Sequence, residues 1–145
     1  MLTVSADRHL SDIDRHLVER RLRAYWDLPT RHDIDKWMAF LAEDFVYIGQ
    51  TWVGLPVKIR REGREGFREF TKHISSLVEY LETSVVELVV DGQQAAASRR
   101  LKLRARGTGR IGELSVCSFV RFRNGEIVEI SDHVDSTAMA RLLSD

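Results

Sequence analysis

The hydrophobic pattern changes period near Leu81, and no other feature restricts the fold as much. Before it, apolar residues recur every three to four positions, the spacing of one helix face. After it they alternate, the spacing of a strand with one buried face. Strands are expected near 82–90, 94–106, 111–123 and 126–134. Asp91-Gly92 and Asn124-Gly125 fall between them. These dipeptides favour tight hairpins, because both residues tolerate positive φ. Gly107-Thr108-Gly109 reads as a looser turn. Four strands joined by short turns make an antiparallel meander.

The first half reads as three helices. Ser11 and Asp14 resemble a capping box opening a helix that carries Ile13, Leu17, Val18, Leu22, Tyr25 and Trp26. Pro29 ends it. Asp33 caps a shorter helix with Ile34, Trp37, Met38 and Leu41. Phe45–Ile48 is aromatic and β-branched and reads as a strand. The charged stretch 58–66 reads as a loop, before a third helix with Phe67, Phe70, Ile74, Leu77 and Val78 on one face. Ser136 caps a short C-terminal helix. Helices first and a curled sheet afterwards is an α+β plan, with a hollow between them suited to a small molecule. One domain over residues 11–145 is expected, preceded by a loose arm over 1–10.

Composition excludes several classes. Lys plus Arg (22) balances Asp plus Glu (22), so no global field draws the chain to nucleic acid or to an anionic membrane. Arg100, Lys102, Arg104 and Arg106 share one strand face and read as a solvated surface. No apolar run reaches the roughly 20 residues of a membrane-spanning helix. The N-terminal residues lack a signal peptide's basic start and apolar stretch, so a cytoplasmic protein is expected. Cys117 is the only cysteine and reads as a small buried residue. No phosphate loop, dinucleotide fingerprint or histidine ligand pair is present, so neither cofactor nor metal is implied.

Period-2 arithmetic identifies two exceptional residues. In 94–104 one face reads Ala95, Ala97, Arg99, Leu101, Leu103. In 127–134 one face reads Val128, Ile130, Asp132, Val134. Each apolar face carries a single charge, and the charges are opposite. A buried charge is costly unless paired or used. Arg99 and Asp132 therefore read either as a structural ion pair or as an acid–base centre, with Arg99 tuning Asp132 or holding an anionic substrate group. Tyr25, Tyr47 and His73 are further candidates that could polarise a substrate oxygen, although each also reads as ordinary packing. His133 should face away from Asp132 unless a bulge intervenes. Tyr47, Trp37, Trp26, Leu101, Val128 and Ile130 are the expected walls of the hollow, while Trp52 reads as core or wall.

Several stretches together resemble the SnoaL-like branch of the nuclear transport factor 2-like superfamily. They are Ala24-Tyr25-Trp26 through Asp33–Trp37, Leu41–Tyr47, Gly63–Phe67, and Phe119–Glu129 running into Asp132-His133-Val134-Asp135. The resemblance implies a cone-shaped α+β barrel, a curved antiparallel sheet wrapping N-terminal helices, and a homodimer formed through the outer sheet face. The superfamily hosts cyclases, isomerases, dehydratases, epoxide hydrolases and plain binding proteins, so it implies a fold more than a reaction. SnoaL-like cyclases use a sheet aspartate as acid/base, and Asp132 is the matching position. Against ketosteroid isomerases, Tyr25 matches the oxyanion tyrosine, but Gly49 and Ser118 stand where two carboxyl groups would be. Against limonene-epoxide-hydrolase-like enzymes, Arg99 and Asp132 match two of three residues, and Leu101 replaces the third. Scytalone-dehydratase-like proteins need two pocket histidines, and only His73 is a candidate. The reading is a cofactor-independent acid/base enzyme for a small apolar carbonyl or hydroxyl compound. The alternatives are a non-catalytic ligand-binding or assembly protein and an epoxide-hydrolase-like enzyme.

Overall fold

The computed structural model describes residues 2–27, 34–49 and 59–145, with side chains from residue 14 onward. The expected helix stop at Pro29, the cap at Asp33, and Trp52 lie outside the described residues.

Helix α1 runs from Leu2 to Asp27. It begins well before Ser11, which lies inside the helix instead of capping it, and the expected arm is helical from Leu2 onward. Val18, Leu22, Tyr25 and Trp26 form its buried stripe. The spacing of four, three and one residues keeps these side chains on one face. Full burial of Leu22 alone contributes roughly 1.5–3 kcal/mol of transfer free energy. Helix α2 is short, Ile34–Met38. Leu41, expected on this helix, instead opens strand β1 (Leu41–Gly49).

The stretch read as a loop holds strand β2 (Ile59–Glu62) and the start of α3 (Gly63–Leu77). Charged residues tolerate a strand here because β2 is an edge strand with an exposed face. Gly63 opens α3 at φ +74°, a conformation that side-chain-bearing residues rarely adopt. The remaining strands are β3 (Val78–Asp91), β4 (Gln94–Ala105), β5 (Ile111–Arg123) and β6 (Glu126–Val134). Helix α4 (Ser136–Leu143) comes last, and its cap is Asp135, whose side chain accepts from the Ala138 amide, not Ser136.

Both tight turns form. Asn124 and Gly125 take φ 52° and 78°, as a two-residue turn with positive φ at both centres requires. In the other hairpin the turn sits one residue later than expected. Asp91 pairs with Gln94, and only Gly92 has positive φ.

The six strands among the described residues form one open sheet in the order β2-β1-β6-β5-β4-β3. The expected meander occupies β3 to β6. The sheet as a whole is mixed rather than antiparallel, because β1 runs parallel to β6. Ala95, Ala97, Leu101, Leu103 and Ala105 of β4 are buried, as the alternation predicts. On the opposite face Lys102 and Arg104 meet Glu82 and Glu79, and Arg100 is exposed. Cys117 is exposed on the outer face of β5, not buried, since it alternates with the inward Val116 and Ser118.

Two apolar clusters fill the interior. One joins α1 to β1 and β6 around Leu22, Phe45 and Ile127. The other joins α4 to β4 and β5 around Leu103, Leu114 and Met139. Residues of both clusters line a shared cavity.

Candidate active site

Strand register builds the site. One row across the inner face reads Leu88, Ala97, Ser118, Asp132, Gly49 and Ile59, from β3 to β2. The residues beside Asp132 are small. Gly49 matters most, since a Cβ there would lie 3.1 Å from the Tyr47 ring and 3.4 Å from its hydroxyl. The absence of that carbon lets Tyr47 reach along its own strand to Asp132.

Above this row lies a cavity of about 120 Å³. A cavity of this order holds a molecule about the size of benzene. Its walls come from α1 (Tyr25, Trp26), α2 (Trp37), α3 (Phe67, Phe70) and the sheet. Arg99 and Asp132 are the charged side chains among the described lining residues.

The Asp132 side chain is 15% exposed. Tyr47 Oη donates to its Oδ2 at 3.0 Å, and Ser118 Oγ donates to its Oδ1 at 2.5 Å. Arg99 Nη2 lies 3.8 Å from Oδ1, too far for a hydrogen bond, and donates instead to Ser118 Oγ at 3.1 Å. The expected ion pair is therefore present but bridged by a hydroxyl. The guanidinium also stacks on Trp26, 4.9 Å from the ring centroid.

All three tyrosines of the chain, Tyr25, Tyr47 and Tyr80, line this cavity. Burial raises the pKa of each above the ordinary value, and the Asp132 charge adds to the effect. For Tyr47 the rise also includes its hydrogen bond to Asp132. Arg99 opposes the rise at Tyr25 and Tyr80, and Tyr80 is pushed up to about 12. The phenols therefore remain protonated donors at neutral pH. Phe67 and Phe70 hold the Tyr47 ring, each with centroids 5.0 Å away.

The structure thus brings together Asp132, Arg99, Tyr25, Tyr47, Trp26, Trp37, Leu101 and Ile130. Two expected residues fall elsewhere. His73 is exposed on α3 and outside the cavity, because the stripe of Phe67, Thr71 and Ile74 faces inward and His73 lies one residue off it. Val128 is the extra residue of a β-bulge. Phe122 pairs with Ile127 and Arg121 with Glu129, so Ile127 turns inward at 0% exposure and Val128 leaves the lining. Past the bulge the expected alternation resumes, with Ile130 and Asp132 inside and His133 outside, edge-on to Phe119.

Sequence reasoning named Ser118 only as the replacement of a carboxyl group, not as a site residue, and missed Tyr80. A signal existed for Ser118. The inner face of β5 reads Leu114, Val116, Ser118, Val120, Phe122, an apolar series with one hydroxyl. Tyr80 lies before the expected strand start and next to a register shift, so alternation could not place it. Among the described residues no cluster of three or more His, Cys, Asp or Glu could hold a metal ion, and no helix is long and apolar enough to cross a membrane.

This arrangement of helices against an open, curved sheet has counterparts among known proteins. A family model described as a SnoaL-like domain matches residues 22–130. The chain belongs to the SnoaL-like domain family. Among solved structures, a nuclear transport factor 2-like protein of unknown function from Burkholderia pseudomallei superimposes with a TM-score of 0.77 at 21% identity, covering 89% of this chain and 98% of that one. A protein assigned as a SnoaL-like polyketide cyclase from Jannaschia superimposes at 0.76 with 16% identity, covering 90% and 94%. An epoxide hydrolase from M. tuberculosis superimposes at 0.68 with 20% identity, covering 89% and 90%. At these identities the likeness is one of fold. Among curated proteins none matches the sequence significantly.

Proposed function

We propose that this SnoaL-like protein is an acid–base enzyme acting on a small, mostly apolar compound with a carbonyl or hydroxyl group. The observation that carries the reading is a carboxylate with limited solvent access, set in an apolar cavity beside protonated phenols. Asp132 removes a proton from a carbon next to the substrate carbonyl. The C–H bond breaks, an O–H bond forms on the carboxyl group, and the electron pair moves to the carbonyl oxygen. Tyr47 and Tyr25 supply hydrogen bonds to that oxygen as its charge grows. Returning the proton at another carbon gives isomerisation. Attack of the carbanion on a second carbonyl gives cyclisation, the new alkoxide taking the proton back from Asp132, and loss of a β-hydroxyl, protonated by Asp132 as it leaves as water, gives dehydration. One well-placed general base contributes about 10²–10⁴ in rate.

The epoxide-hydrolase reading is less well supported. That chemistry needs one carboxyl to activate water and another to protonate the epoxide oxygen, and Asp132 is the only carboxyl among the described lining residues.

The test is deuterium exchange. Cyclopentanone, cyclohexanone and 2-cyclohexenone are incubated with the protein in heavy water, and loss of the α-proton signals is followed by NMR. Exchange faster than buffer, abolished in Asp132→Asn, supports the reading. Ketones that bind but never exchange, with equal affinity for wild type and Asp132→Asn, would establish a ligand-binding protein instead.

A further inference from the structure

Asp132 is held unequally at its two oxygens, and proton counting gives the reason. An arginine can only donate hydrogen bonds. Ser118 Oγ must therefore accept from Arg99 Nη2, across 3.1 Å. Its single proton is left for Asp132 Oδ1, across 2.5 Å. Ser118 is 1% exposed, so solvent does not compete for either bond. Register fixes the arrangement, because Ser118 faces Asp132 on β6 and Ala97 on β4, two residues from Arg99.

A proton placed on Oδ1 would make Ser118 Oγ accept from both Oδ1 and Arg99, and the Ser118 hydrogen would lose its acceptor where solvent cannot replace it. Oδ2 carries no such constraint. Its partner is the Tyr47 phenol, whose O–H can rotate to another acceptor. We infer that Ser118 is a positioning residue: its hydroxyl transmits the hold of Arg99 to Oδ1 of Asp132 and leaves Oδ2, the oxygen that Tyr47 touches, to exchange a proton with substrate. The inference rests on the proposed acid–base activity for its catalytic consequence, but not for its hydrogen-bond geometry. When Oδ2 takes the substrate proton, the Tyr47 O–H turns from the carboxyl group to the oxygen that gains the electron pair. Oδ1 stays bonded to Ser118 throughout.

The test has two parts, one needing no substrate. In proton NMR of the unliganded protein in water, a buried hydroxyl bonded this tightly gives a resonance downfield of the amide envelope. It is expected in wild type, Tyr47→Phe and Ser118→Thr, absent in Ser118→Ala, and shifted in Arg99→Met. Absence from wild type, or indifference to Arg99→Met, overturns the inference. The second part uses the same cyclic ketones. Ser118→Ala should lower kcat for exchange roughly ten- to a hundredfold, the value of one hydrogen bond to a charged group, with KM changed less than about twofold. Ser118→Thr should restore most of it. A loss that Ser118→Thr does not restore, or one confined to KM, overturns the positioning role. If wild type exchanges none of the probes, the acid–base reading fails, while the NMR experiment still decides the Ser118 bridge.

Discussion

Replacing Asp132 by Asn, alone and with Arg99→Met, weighs the central network directly. Asparagine keeps the shape but downgrades both bonds: Ser118 donates to a neutral oxygen, and the amide NH2 faces the Tyr47 hydroxyl, which must accept instead of donate. Each downgrade costs about 1 kcal/mol. It also leaves the Arg99 side chain, 14% exposed, without its counter-charge. An isolated buried charge adds a further penalty, reduced here because Arg99 still stacks on Trp26. The expected destabilisation of Asp132→Asn is about 2–4 kcal/mol, or roughly 6–12 °C in melting temperature for a domain of this size. Removing the guanidinium as well should recover part of the loss, because no unpaired charge then remains. Urea unfolding, followed by tryptophan fluorescence, gives the free energies of wild type, both single variants and the double variant. The cycle should show a coupling of at least about 1 kcal/mol between Arg99 and Asp132. Additive effects, or an Asp132→Asn protein more stable than wild type, would refute the view that these groups form one network.

Other outcomes derive from the same geometry. Because all three phenols have raised pKa values, phenolate absorbance at 295 nm should stay flat in the folded protein past pH 10.5, while the chain in guanidinium titrates near 10; a folded-state midpoint at 10 contradicts the burial argument. The sign of the linkage is fixed: unfolded tyrosines release protons that the native state retains, so the tyrosines' contribution to stability is constant below about pH 10 and falls as pH rises above it. Gly49→Ala should displace the Tyr47 ring by a few tenths of an ångström and slow ketone exchange at least severalfold, with the sheet intact by circular dichroism; unchanged exchange would show that the close approach is slack. Val89, Ala96, Phe119 and Ser131 form a row on the outer sheet face, where Val89 is 66% and Phe119 57% exposed. If copies pair through this face, sedimentation should find a dimer that Phe119→Asp converts to monomer, and a monomeric wild type ends that expectation.

Local chemistry in the sequence determined much of this protein. The change of period, expected at Leu81 and found at Val78, the Asn124-Gly125 turn and the alternation along 94–104 are properties of neighbouring residues, and each was legible because helix and strand periods differ. The same arithmetic located Arg99 and Asp132, since a charge in an apolar series stands out whatever surrounds it. Tertiary structure decided the rest, through contacts between residues distant in the chain. The bulge at Val128 depends on pairing with Arg121 and Phe122, so alternation within 127–134 could not reveal it. The parallel pairing of β1 with β6 brings Gly49 beside Asp132, residues that no local pattern relates. Ser118 reads as one hydroxyl among apolar neighbours until three strands align and place it between a guanidinium and a carboxylate. A chain's periodicity states which face a residue occupies, whereas only the register between strands states what it meets there.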